Sequence, residues 1–121
     1  FGLLYLNDGA QVSGGSNASF VAVPVKRFFA TPGVKQFPVG KGLYYAPVSL
    51  DPSFTGAGEI TVEAVDGDNS EIGSSTINPA KSVNVNWKFT NNNLDFTECD
   101  VTFNWDSEKA DNGSNFNNFI L

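Results

Sequence analysis

Two stretches of the sequence group side chains whose oxygen atoms could bind calcium. The first, DGDNSE at 66–71, contains Asp66, Asp68 and Glu71, and the second, DSEKAD at 106–111, contains Asp106 and Asp111. Calcium prefers carboxylate and carbonyl oxygens, so these five acids are the candidate ligands. The first stretch has no glutamate at the twelfth position, where a helix-loop-helix calcium loop is completed by a bidentate carboxylate.

Both acidic stretches also fit polar turns, which is the interpretation we favour. In the first, the Asp and Asn side chains would hydrogen-bond to the backbone of their own turn. In the second, Asp106 would cap a short helical turn by accepting backbone amides. The sequence therefore predicts no required cofactor, and calcium is the one metal for which it offers ligands.

The residues needed for the commonest nucleophilic mechanisms are missing. The chain contains no histidine and one cysteine, Cys99, so cysteine–histidine and serine–histidine–aspartate catalysis are excluded. One cysteine is also too few for an internal disulfide or a thiolate zinc site. We interpret Cys99 as a small apolar core residue on the strand face of Val101 and Phe103. The thirteen acids allow carboxylate pairs, but none is marked as buried, and the chain is predicted not to be an enzyme.

Aromatic side chains offer a second candidate site. Tyr44 and Tyr45 are adjacent in a predicted strand, so one of them must face away from the core and could contact a glycan. Trp87 and Trp105 fall at the alternate positions that are apolar in their strands. We therefore expect both to lie in the core.

Alternation of apolar and polar residues predicts that these positions are carried on β-strands. Ile60, Val62 and Ala64 alternate with polar residues over 59–65, and 82–90 alternates in the same way. Further strands are predicted at 18–29, 43–50 and 116–121, and loops or turns at 51–58, 66–80 and 91–93. The parity of apolar residues changes after Phe96, which predicts a bulge at Thr97–Glu98. No helix longer than a turn at 107–111 is predicted, so about seven strands form an all-β sandwich or barrel.

Charge and length narrow the possible partners. The 121 residues fit a single domain, and a net charge of −6 with seven scattered basic residues gives no basic stripe for nucleic acid. No apolar run approaches the length of about 20 residues that a membrane span needs, so no membrane insertion is expected. We assign residues 1–16 to an edge strand and turn that could end a preceding β-rich segment, and 17–121 to the sandwich module.

Several short motifs, taken in order, resemble modules of large, repeat-rich Bacteroidetes cell-surface proteins, which are exported and often use the type IX secretion system. The motifs are SFV at 19–21, PVKR at 24–27, FPVGKG at 37–42, YAPV at 45–48, INPAKSVNVNW at 77–87 and DNGSNFNNF at 111–119. The resemblance implies an immunoglobulin-like antiparallel β-sandwich in a long surface protein or filament, located outside the cell or at its surface.

Two functions remain open on the sequence alone. The chain is either a structural module (a stalk, spacer or adhesin repeat that contacts neighbouring modules or copies of itself) or a module that binds glycans or calcium. The structural hypothesis draws on the apolar runs near both ends of the chain, because an unpaired strand edge is a template for another chain.

Overall fold

A computed structural model describes residues 2–115, which form nine β-strands and three 3-10 turns. The strands are β1 (Leu4–Leu6), β2 (Val25–Phe29), β3 (Lys35–Phe37), β4 (Gly40–Lys41), β5 (Tyr44–Tyr45), β6 (Val48–Gly56), β7 (Gly58–Asp66), β8 (Val85–Asn92) and β9 (Asp95–Phe103). They build a four-stranded sheet in the order β1-β2-β7-β8, a three-stranded sheet in the order β3-β6-β9 and the short β4-β5 pair.

The all-β sandwich predicted from the sequence is confirmed, with nine strands in place of about seven. One pair departs from an antiparallel sandwich, because β1 runs parallel to β2. Within the described residues no helix has the length and apolar character needed to cross a membrane. The predicted strand at 116–121 lies outside the described residues.

A long bent ribbon connects the two larger sheets. β6 passes into β7 across Ala57, and β8 passes into β9 across Asn93 and Leu94, so each of these two chain segments contributes to both sheets. At one end of the ribbon Asp66 pairs with Val85, and at the other end Val48 pairs with Phe103. The two segments keep the same pairing register on both sides of the bend. Two sheets whose strands continue around a corner share one interior face, and the core lies inside that bend.

Residues that the sequence analysis assigned to loops form this ribbon. The predicted loop at 51–58 was wrong, because Asp51, Pro52 and Ser53 lie inside β6 and only Ala57 separates β6 from β7. The predicted turn at 91–93 is the other half of the corner, where Asn93 has a φ of 67°. The Asn91 side chain accepts the Leu94 amide at 3.0 Å and donates to the Leu94 carbonyl at 2.9 Å, which fixes the bend.

The two halves of the corner touch at a glycine. A Cβ placed on Gly58 would lie 2.3 Å from the Leu94 nitrogen and 2.5 Å from the Asn93 carbonyl carbon. Such distances are not found for real Cβ atoms, so the close approach of the two corners requires the absence of a side chain at this position.

The predicted bulge is confirmed at Thr97. Ser53 pairs with Glu98 and Phe54 with Phe96, which leaves Thr97 without a partner in the ladder. A second irregularity follows between Phe54 and Gly56 on the opposite strand, and it restores the register before the corner.

The core contains the residues that the clearest alternation predicted. Ile60, Val62 and Ala64 are all buried, and they pack with the other buried apolar residues: Val25, Phe29, Phe37, Val39, Ala46, Val48, Leu50, Val85 and Leu94. Burial falls along β8, where Trp87 is half-buried and Phe89 is 41% exposed. The expectation that 83–89 forms one buried face was wrong at Phe89, because β8 is an outer strand of its sheet.

Two predicted strands are shorter or divided. The strand expected at 18–29 begins only at Val25, immediately after Pro24, and residue 21 makes a single bridge to Val39. Proline has no amide hydrogen to contribute to a ladder. The strand expected at 43–50 is divided, because Ala46 and Pro47 separate β5 from β6.

The segment before β2 is attached to the sandwich through buried cations. Arg27, 2% exposed, donates from Nη1 to the Gln36 carbonyl and from Nη2 to the Ala10 carbonyl, each at 2.6 Å. Asp8 accepts the amides of Ala30 and Thr31 at 2.7 and 3.0 Å and lies 3.1 Å from the Lys35 ammonium. β1 lies within the segment 1–16, for which the sequence predicts an edge strand and turn, and it is an outer strand of the four-stranded sheet whose Leu4 and Leu6 pack against the core.

Candidate functional site

One end of the sandwich brings together several of the residues proposed from the sequence. Asp66 ends β7, Tyr44 lies in β5, and the segment 105–111 crosses between them after β9. Lys109 contacts the Asp66 carboxylate with its ammonium group, which also lies 5.2 Å from the centroid of the Tyr44 ring. The Tyr44 hydroxyl donates to Glu108 at 2.8 Å. The hydrogen bond from Lys109 lowers the pKa of Asp66, and the hydrogen bond to Glu108 raises the pKa of Tyr44.

Asp106 caps a 3-10 turn, as the sequence predicted. Its Oδ1 accepts the Glu108 amide at 2.9 Å at the start of the turn Ser107–Lys109, and its Oδ2 accepts the Asn17 amide group at 2.8 Å. These two donors lower the pKa of Asp106. Asn17 also accepts the backbone amide of Tyr45 at 2.8 Å, so one side chain joins the loop before β2 to both β5 and the cap.

The two predicted tyrosines are both half-buried and differ in their surroundings. Tyr44 has its hydroxyl on Glu108 and its ring beside Lys109. Tyr45 packs over Gly15, where an added Cβ would lie 2.2 Å from the Tyr45 hydroxyl oxygen, and burial raises the Tyr45 pKa. Intramolecular contacts therefore hold both rings in position.

Asp68 and Asp111, which come from separate acidic stretches, meet at Ser82. The Ser82 hydroxyl lies 2.6 Å from Asp68 Oδ1 and 3.3 Å from Asp111 Oδ2, and Ser82 itself is 6% exposed. A hydroxyl has one hydrogen, so Ser82 can donate to one of these carboxylates at a time. Asn84 donates to Asp111 at 2.8 Å, and this bond together with the Ser82 amide lowers the pKa of Asp111.

The sequence analysis missed Ser82 and Asn84, although both follow the predicted polar loop. Their role arises because Asp111 returns to the start of β8, where the Asp111 amide donates to the Ser82 carbonyl at 2.9 Å and Val83 bridges to Ala110. No local pattern indicates a contact between positions so far apart in the chain.

Glu71 has different contacts from those of the other four predicted ligands. It is exposed and immediately precedes the 3-10 turn Ile72–Ser74, where its carbonyl accepts the Ser74 amide at 3.1 Å. Among residues 2–115, no three His, Cys, Asp or Glu side chains are grouped so that they could hold a metal ion.

A groove of about 620 Å³ adjoins this end of the sandwich, between the loop 69–82 and the start of β8. Its apolar lining includes Ile72, Ile77 and Val85, and amide side chains are contributed by Asn78 and Asn86. Trp87 and Trp105 also line it, and both are half-buried rather than fully enclosed in the core. The volume and the mixture of apolar walls with a few polar groups fall in the range of small-molecule sites.

The carboxylates of this protein are arranged as hydrogen-bond acceptors. Amide, hydroxyl or lysine donors contact Asp8, Asp66, Asp106 and Asp111, and each of these four acids has a lowered pKa. A carboxylate that stays ionised at neutral pH cannot act as a general acid, because it has no proton to give. The geometry lets these groups fix loops and accept donors or cations.

The lone thiol is held in a strand. Cys99 is half-buried in β9, and burial raises its pKa, so at neutral pH it is a thiol rather than the reactive thiolate.

Comparison of the chain with protein-family models, with curated proteins and with solved structures finds no match.

Proposed function

We propose that this chain is a structural module of an extracellular bacterial surface protein or filament, acting as a stalk, spacer or adhesin repeat. The observation that carries the proposal is the bent ribbon, in which the segment 48–66 supplies an interior strand to both sheets and the segment 85–103 supplies an outer strand to both. A load applied along either sheet must shear many backbone hydrogen bonds together, since the ladder continues around the corner.

The use of the acidic side chains supports the same proposal. Asp8 holds the segment before β2 to the start of the β2–β3 turn, and Asp106 and Asp111 hold the segment after β9 to the body of the sandwich. The segments before β2 and after β9 are thereby attached to the rest of the sandwich by side chains that remain charged at neutral pH. Such attachments suit a unit that transmits force between neighbours. The location outside the cell rests on the sequence motifs that resemble Bacteroidetes surface modules.

Protease treatment of intact cells tests the location. Cells of the producing bacterium would be treated briefly with trypsin, and released peptides of this chain would be identified by mass spectrometry. We expect peptides such as the one following Lys41 in the supernatant of intact cells. A cytoplasmic enzyme followed in the same samples controls for lysis. Release of the module only together with that enzyme would refute the surface location.

The groove favours a second candidate function, the binding of a glycan. Its amide side chains could hydrogen-bond sugar hydroxyls while the apolar wall contacts the sugar ring. A glycan array with the intact chain tests this, with Asn86→Ala and Asn78→Ala as groove variants. Asn92→Ala, a change of the same type at the far end of β8, is the matched control. Hits that the groove variants lose and the control keeps would support the glycan function, and an array with no hits would refute it.

Calcium binding belongs to this second candidate and has its own measurement. Binding to the folded chain alone must raise the unfolding temperature. A melting curve that is the same in calcium and in EDTA would exclude a calcium-stabilised module.

A further inference from the structure

Exposed apolar side chains concentrate at the outer strands of the sheets. Of the seven large apolar side chains that are most exposed in residues 2–115, two lie in or beside β1 and three lie along β8 and β9. Leu3 is 49% exposed and Tyr5 45%, while Phe89 is 41% exposed. Among the strands of residues 2–115, none pairs with the outer edge of β1 or of β8, so apolar exposure and backbone groups without a described partner coincide there.

Side chains at paired positions of neighbouring strands form rows across the four-stranded sheet. These rows can continue from one copy of the chain into a second copy. On the face toward the core, one row runs through Leu4, Val25, Val62 and Phe89. β1 is parallel to β2, and β7 is antiparallel to both β2 and β8, so β1 and β8 run in the same direction. A second copy displaced along the row would therefore place its β1 parallel to β8, with its Leu4 next to Phe89.

Charge argues against the other pairings of these edges. Lys88 lies near the middle of β8, so twofold pairing of β8 with itself would bring two ammonium groups to the same face. β9 carries Asp95, Glu98 and Asp100, and its pairing with itself would bring six acids together. β1 has the sequence LYL and no charge, so it can pair with β8 without repulsion.

We propose that β8 of one copy binds β1 of a second copy, so that the four-stranded sheet continues from molecule to molecule. This inference rests on the structural role proposed above and names the partner, a second copy of this chain. The contact joins two different surfaces, so repetition produces an open chain of modules rather than a closed dimer. The second copy covers Phe89 and pairs with the β8 edge that no strand within residues 2–115 occupies.

Disulfide trapping between differently labelled copies tests the pairing. In a Cys99→Ser background, Tyr5→Cys and Thr90→Cys are made in separate chains, because Tyr5 and Thr90 end the same row on the opposite face of the sheet. We expect the mixture to form a crosslinked heterodimer and neither variant alone to do so. Thr61→Cys, on the same row but in the interior strand β7, is the matched control and should remain uncrosslinked with Tyr5→Cys.

Sedimentation supplies an independent measurement. Phe89→Glu should weaken the concentration-dependent association of the full chain by about tenfold or more, because it places a charge in the covered row. Val34→Glu, the same type of change at a loop position that is 68% exposed, should leave the association unchanged. Circular dichroism of each variant confirms that it is folded.

The remaining outcomes decide against either the pairing or the surface role. Faster homodimer formation by Thr90→Cys alone would show that β8 pairs with itself. Equal crosslinking of Thr90→Cys and Thr61→Cys would show no specific contact. If the disulfide does not form but protease still releases peptides of the module from intact cells, only this pairing is rejected. If the disulfide forms but the module is not released from intact cells, only the surface role is rejected.

Discussion

The corner between the two sheets can be tested by adding a single methyl group. Gly58→Ala places a Cβ within 2.5 Å of backbone atoms of Asn93 and Leu94, and neither main chain can rotate away as a side chain could. The residue also pairs with Phe29 across β2 and β7, so a shift of β7 would disturb the core. Gly56, on the other side of Ala57, has nothing within 4 Å of its would-be Cβ and is the matched control.

The expected magnitude follows from the kind of contact. Overpacking a filled interior costs about 1–3 kcal/mol, and backbone neighbours place Gly58→Ala near the upper limit, at about 3 kcal/mol. Gly56→Ala removes a flexible glycine from an open strand position and should be neutral or stabilise by about 0.5 kcal/mol. For a domain of this size, a loss of about 3 kcal/mol lowers the unfolding temperature by roughly 12 °C.

Denaturant unfolding, followed by tryptophan fluorescence and far-UV circular dichroism, measures both variants against the parent chain. A large decrease in the free energy of unfolding for Gly58→Ala, with no decrease for Gly56→Ala, would support the close approach of the corners. A Gly58→Ala chain as stable as the parent chain would refute the close approach of the corners. A large loss in both would show that the bend needs glycine flexibility instead of space.

Three further predictions concern buried polar groups and charge. Arg27→Met removes the donor to two main-chain carbonyls and should lower the free energy of unfolding by about 2 kcal/mol in a denaturant titration, because two buried acceptors lose their partner at about 1–3 kcal/mol each and relief of the buried charge offsets part of that loss. Trp87→Phe removes the indole donor, 2.9 Å from the Ala46 carbonyl, and should cost about 2 kcal/mol in the same titration. The Asp8 carboxyl has a pKa held below its ordinary value of 3.8 by the Ala30 amide and further donors, so its stabilising effect is complete above that value and is lost as the pH falls below it. Thermal melts from about pH 5 to about pH 2 should show a falling midpoint, and Asp8→Asn should flatten part of that fall.

Each of these predictions has an outcome that contradicts it. An Arg27→Met chain that matches or exceeds the parent in stability would mean that burying the charge costs more than the two hydrogen bonds return. A Trp87→Phe chain of unchanged stability would mean that another donor reaches Ala46. Parallel pH curves for Asp8→Asn and the parent would place the acid sensitivity on other carboxylates.

Parts of the fold were predictable because they depend on local alternation. The strand that includes Ile60, Val62 and Ala64 has one buried face and one polar face, and this period of two is visible in the sequence. The bulge at Thr97 was predictable for the same reason, since an extra residue reverses the parity of everything after it. Asp106 was predictable as a cap because its amide partner lies two residues away.

The candidate site was only partly predictable because its contacts join distant positions. Tyr44 meets Glu108, Asp66 meets Lys109, and Asp68 meets Asp111 through Ser82. Sequence composition marked most of these residues as polar loop positions, but it assigned the acids to two separate stretches. Their arrangement depends on the path of the segment after β9, which lies across the ends of β5 and β7.

By itself, the sequence determined the all-β class, the absence of histidine chemistry and the residues of the central strand β7, because these depend on residue types and local period. Only the tertiary structure decided which strands are outer strands. Phe89 has the alternation of a buried residue, yet it lies in β8, which has a neighbour on one side only among the strands that the structure describes. Parity specifies which side of a strand is apolar, but the number of neighbours that cover that side is a property of the assembled sheets.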